Sequence, residues 1–108
     1  MSVVEKDMAI SGLLEDELRR SREVQASLEA KLAQYPKGAL NLRQKRYKNK
    51  KYEYHYLVAR EGDRVINRHV PAKEAVKLGK LLAERDKIRQ EIRVYRKRIA
   101  YLLKLLKA

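Results

Sequence analysis

Between residues 43 and 51 the chain sets six cations, Arg43, Lys45, Arg46, Lys48, Lys50 and Lys51, and follows them at once with Tyr52, Tyr54 and Tyr56. Ammonium and guanidinium groups neutralise phosphates and release their counterions, while aromatic faces beside them accept stacked bases. That pairing of residue types suits single-stranded or flexible nucleic acid. Arg64 and Arg68, a short distance downstream, would form a second rank of phosphate contacts. The plainer role for the tyrosines comes first in expectation: they pack one face of a sheet, and Tyr52 and Tyr54 stack on bases only if that face is open. Lysines beside a strand also protect its edge from aggregation, but that task does not need six of them.

Other chemistries find few residues. The chain has no cysteine and two histidines, His55 and His69, so thiolate zinc sites and disulfides are excluded, and the histidines need further ligands to hold a metal. They fall on neighbouring expected strands, where they would approach each other across the hairpin. Phosphate-loop, dinucleotide and metalloprotease patterns are absent, as is a Ser/His/Asp set in a suitable context. The expectation is a non-enzymatic protein with no cofactor.

The positioning elements follow from periodicity. Tyr52, Tyr54, Tyr56 and Val58 alternate with Glu53, His55, Leu57 and Ala59, a two-residue period bounded by Asn49 and by the Glu61-Gly62-Asp63 turn. Residues 64–70 read as the hairpin partner and residues 39–47 as a third, more basic strand. A sheet this small is marginal alone, so one face is expected to lean on helix.

Helical spacing flanks this insert. Ser2 and Glu5 fit a capping box, and Leu14, Leu18, Ser21, Gln25, Leu28, Leu32 and Tyr35 then step by four and three to the stop at Pro36 and Gly38. Pro71 suits a first helical position. Beyond it Leu78, Leu81, Arg85, Ile88, Ile92, Tyr95, Ile99, Leu102 and Leu106 continue the same heptad stepping. Folding one helix back on the other pairs Leu32 with Leu78, Leu28 with Leu81, Gln25 with Arg85, Ser21 with Ile88, Leu18 with Ile92 and Leu14 with Tyr95. In that register the charged seam residue meets a polar one, as a layer that specifies alignment would. The same seams can also join two chains.

The expected fold is therefore α+β, mainly α: an antiparallel two-helix coiled-coil hairpin with a two- to three-stranded antiparallel β-meander inserted between the helices. Its parts are helix over 2–35, meander over 38–70 and helix over 71–107, one domain across residues 1–108.

Charge is unevenly placed within a net of +13. Residues 1–35 carry −2, residues 36–71 carry +7 and residues 72–108 carry +8. Arg89, Arg93, Arg96, Lys97 and Lys104 lie mostly off the seam of the second helix, as either a phosphate-tracking stripe or a solvated face paired in part with Glu15, Glu17 and Glu23. No apolar run reaches the roughly 20 residues of a membrane span, and charges interrupt the first nine residues where a signal peptide is apolar. The expected setting is cytoplasmic, without integral membrane association.

The run from Tyr35 to Ala75, followed by a long Leu/Lys/Arg helix, resembles an uncharacterised family of bacterial and phage-associated proteins. The family has a Pro-x-Gly-x-Leu strand start, a Tyr-rich strand, a basic strand ending in Val-Pro or Ile-Pro, and a long helix. The matching positions are Pro36, Gly38 and Leu40, then Tyr52, Tyr54 and Tyr56, then Val70 and Pro71. Some relatives carry a cysteine cluster or precede a nuclease-like domain; these 108 residues contain neither. The resemblance implies the helix, sheet, helix order and an association with nucleic acid.

The leading expectation is thus a protein that binds DNA or RNA along the phosphate backbone, through Arg43, Lys45, Arg46, Lys48, Lys50, Lys51, Tyr52, Tyr54, Arg64 and Arg68. The alternative is a coiled-coil homo-oligomer or an adaptor for an acidic protein partner.

Overall fold

The computed structural model describes residues 8–107. In chain order they form helix α1 (Met8–Leu32), strands β1 (Ala39–Tyr47), β2 (Lys50–Glu61) and β3 (Arg64–Val70), and helix α2 (Ala72–Lys107). The α+β, mainly α class and the helix, sheet, helix order agree with the sequence analysis. The expected capping box at Ser2 and Glu5 lies outside the described residues. At the other boundary Pro71 serves as a cap, its carbonyl accepting hydrogen bonds from the backbone N–H of Glu74 and Ala75, both at 2.9 Å.

The sheet has the order β1-β2-β3 with both pairings antiparallel, so β1 and β3 are its edges. The β1–β2 connection is two residues, Lys48 and Asn49, with φ of 49° and 62°. Two successive left-handed residues match the right-handed twist of the strands, which is why so short a loop closes there. Gly38 opens β1 with φ of 121°, and a Cβ at that position would stand 2.6 Å from the Val58 carbonyl oxygen. Only glycine allows β1 to enter the sheet so close to β2.

Two compact units divide the chain: residues 35–86, and residues 8–34 with 87–107. The core of the first consists of Leu57, Val70 and Ala75, with Leu40, Leu78 and Leu82 packed against it. Val70 is 2% exposed. Directly across the ladder, Leu40 faces Leu57, and His55 faces Val70, so one face of the sheet is apolar at this end and α2 covers it. Burying a side chain of this size stabilises by about 1.5–3 kcal/mol, which a three-stranded sheet cannot obtain from its own strands.

In the second unit the seam positions form the less exposed stripe. Ser21, Ile88, Ile92 and Leu102 are buried, while Leu14, Leu18, Gln25, Leu28, Tyr95, Ile99 and Leu106 are half-buried. The Arg96 guanidinium reaches Glu29 at 3.5 Å and that of Arg98 reaches Glu17 at 3.9 Å. These partners lie further along α2 than the anticipated layers, which set Leu28 against Leu81 and Leu18 against Ile92. The displacement has a physical cause: Leu78 and Leu82 are taken up by the sheet, so the part of α2 in the α1 unit begins at residue 87. Gln25 donates to Glu29 at 3.2 Å, and the buried Nε of Arg85 has no hydrogen-bond partner among the described residues.

Tyr35 provides a pH handle on the sheet-bearing unit. Its hydroxyl donates to Glu84 Oε2 at 3.1 Å. That bond first, then desolvation and the negative charge of Glu84, raise the Tyr35 pKa above its ordinary value of 10.0. Folding therefore tightens proton binding, and the stabilisation is complete below pH 10 and lost as pH rises through the folded-state value. Thermal melts between pH 8 and pH 12 should place Tyr35→Phe below wild type at the lower end, with the gap closing at the upper end. A gap independent of pH would assign the effect to packing.

Candidate nucleic-acid interface

The period of two assigns every strand residue to one of two faces, and the ladder register carries the assignment from strand to strand. Arg43 lies opposite Tyr54, Lys45 opposite Tyr52, Tyr47 opposite Lys50, and Asn41 opposite Tyr56, which in turn faces His69. All of these project away from the face that holds Leu57 and Val70. The expectation that Tyr52, Tyr54 and Tyr56 form the packed face is therefore overturned. The apolar residues that alternate with them, Leu57 above all, are the ones the helix covers.

Side-chain contacts tie the open face together. The rings of Tyr52 and Tyr54 have centroids 6.5 Å apart and are tilted by 31°. His69 lies 6.0 Å from Tyr54 and 5.6 Å from Tyr56, edge-on to the latter. The Arg43 guanidinium sits 4.8 Å above the Tyr56 ring and donates to Asn67 Oδ1 at 3.2 Å, so it is held across β2 from β1 to β3. Lys45 Nζ lies 5.9 Å from the centre of Tyr54. Each cation–π contact is worth about 0.5–1 kcal/mol at an exposed site, enough to bias a side chain but leaving its charge available to solvent.

The ten anticipated residues are not all brought together. Arg43, Lys45, Lys50, Tyr52 and Tyr54 share the open face, whereas Arg46, Lys51, Arg64 and Arg68 project from the opposite one. Lys48 occupies the β1–β2 turn, its ammonium 5.4 Å from the Tyr47 ring. A run of six cations within a hairpin has to divide in this way, because consecutive strand residues alternate. Arg60, Tyr47, Tyr56, Asn67 and His69 belong to the open face and were not among the anticipated residues. The signal that identifies them is parity, carried through the turn and across the ladder. His55 and His69 lie on opposite faces, which removes the approach that would have made them a pair.

The division also sorts the acids. Glu53 and Glu61, the carboxylates of the strands, both lie on the face with Leu57, where Arg64 is directly across from Glu61 and Gln44 donates to Glu53 at 3.4 Å. The open face has Arg43, Lys45, Lys50 and Arg60 and no strand carboxylate. Among the described residues no strand cation forms an ion pair, in contrast to Arg96 and Arg98 of α2. Among the described residues, too, no three metal-ligating side chains converge, and no helix is long and apolar enough to cross a membrane. Comparison with protein-family models, with curated proteins and with solved structures finds no match to this chain.

Proposed function

We propose that the protein binds nucleic acid without chemical turnover, through the open face of its sheet. One observation carries the reading: all four strand tyrosines and four cations share one face, while both strand carboxylates lie on the other among its own four cations. A face of that composition attracts a phosphate backbone and offers rings to bases, and neither Glu53 nor Glu61 on the far side opposes the approach. Arg43, Lys45, Lys50 and Arg60 supply the phosphate contacts, and Tyr52 and Tyr54 the aromatic ones. Lys48 adds charge at the hairpin tip. Binding is backbone-dominated, with Kd roughly 10⁻⁴ to 10⁻⁶ M at physiological salt and little base preference.

Titration of the intact protein against DNA and RNA at several salt concentrations tests this. The expected result is an affinity that falls linearly in log–log form with salt. An affinity flat in salt, or no binding near physiological ionic strength, refutes it.

A second reading, assembly through the helices, rests on Val94 and Tyr101. They are 54% and 62% exposed and seven residues apart, so α2 carries an apolar stripe outside the seam. Sedimentation over a range of concentrations separates the two: a concentration-independent monomer eliminates assembly, and a stable oligomer indifferent to nucleic acid eliminates the first reading.

A further inference from the structure

We infer that the open face is a ladder for an extended single strand, one nucleotide to each two-residue step of the sheet. This rests on the nucleic-acid reading of the same face and adds to it the strandedness of the ligand and the length of the footprint.

The argument is one of spacing. Two residues of strand advance about 6.6 Å, and the Tyr52 and Tyr54 rings are in fact 6.5 Å apart. Each step contributes one cation and one tyrosine directly across from it: Arg43 with Tyr54, Lys45 with Tyr52, and, with the strands exchanged, Lys50 with Tyr47. A nucleotide likewise consists of one anion and one aromatic base. The cations lean diagonally, Lys45 toward Tyr54 and Arg43 toward Tyr56, so a charge stands between successive rings as a phosphate stands between successive bases.

A duplex does not fit this repeat. Its base faces are occupied by neighbouring pairs. Such a ligand would reach the cations and leave the rings unused. A single strand drawn out of its stack offers both groups at adjustable spacing, and the three steps give a footprint of about three nucleotides. Three phosphate contacts on a single strand correspond to a slope of about −2 in log affinity against log salt.

The experiment is fluorescence anisotropy of labelled thymidylate oligomers, from dimer through tetramer to octamer, and of a duplex with the same phosphate count as the octamer. Wild type is compared with Tyr52→Leu and Tyr54→Leu, with circular dichroism confirming that each variant retains its sheet. The expected result is a clear gain from dimer to tetramer, only a statistical gain beyond it, a salt slope near −2, and about a tenfold loss for each tyrosine variant on single strands but none on duplex. Equal affinity for single strand and duplex, unmoved by the tyrosine variants, overturns the ladder and leaves the nucleic-acid reading standing. Failure of every polyanion to bind in a salt-dependent way overturns both.

Discussion

A variant carrying Arg43→Glu and Lys45→Glu together is expected to lose at least about a hundredfold in affinity for single-stranded nucleic acid, while Arg46→Glu with Lys51→Glu loses far less. Both variants change the net charge by the same amount, and all four positions lie within β1 and the start of β2. They differ in the face from which the side chain projects: Arg43 and Lys45 stand across from Tyr54 and Tyr52, whereas Arg46 and Lys51 stand across from one another on the face of Leu57. General attraction between a basic protein and a polyanion responds to net charge and falls off within a Debye length of about 10 Å at 0.1 M salt. Direct phosphate contact responds to position. Titrations of the two variants at matched ionic strength therefore distinguish docking from steering, and equal losses would show that the open face has no special part in binding.

The second large effect concerns stability. Leu57→Ala should cost the sheet-bearing unit about 2–4 kcal/mol, because Leu57 is buried among Val70, Ala75, Leu40, Leu78 and Leu82. Leu42→Ala is the control. It lies on the same face two residues beyond Leu40, yet it is 53% exposed, and its truncation should change stability by less than about 0.5 kcal/mol. Denaturant titration followed by circular dichroism measures both. A small effect at Leu57 would mean that the cover provided by α2 is not what holds the sheet in place.

Much of this architecture was legible in the sequence, for reasons that can be stated residue by residue. The alternation around Tyr52–Val58 and the short turn at Gly62 mark strands through a period that helices cannot produce, and the three strands lie where the alternation and the turn residues put them. The heptad stepping of Leu78, Leu81, Arg85 and Ile88 marks a helix with one shielded stripe. What periodicity cannot disclose is the identity of the partner. Leu78 against Leu57 and Ile88 in the helical unit are spaced alike, since sheet and helix make the same demand on the covering helix, so the pairing of Leu78 with Leu32 looked as sound as any other layer.

The candidate site was legible as composition and not as arrangement. The density of cations from Arg43 to Lys51 is plain on reading, but its sorting into two faces depends on where the turn falls. Lys48 and Asn49 carry the backbone through it, so Tyr47 and Lys50 become opposite neighbours and every assignment follows from that point. The core preference was misjudged for a related reason. Tyrosines have more apolar area than the residues between them, but a phenol needs a polar partner when enclosed and Leu57 does not.

The strict division of the two faces also bears on how faithfully the chain folds. A slip of one residue in the pairing of β1 with β2 would turn Leu40 outward and bring Ala39 or Asn41 round into its place beside Leu78 and Leu82 of α2. Enclosing the Asn41 amide there without a partner would cost about 1–3 kcal/mol. The polar residue that alternates with Leu40 thus also counts against misaligned hairpins, so the alignment of the strands is policed by exclusion from the wrong environment as well as by attraction to the right one.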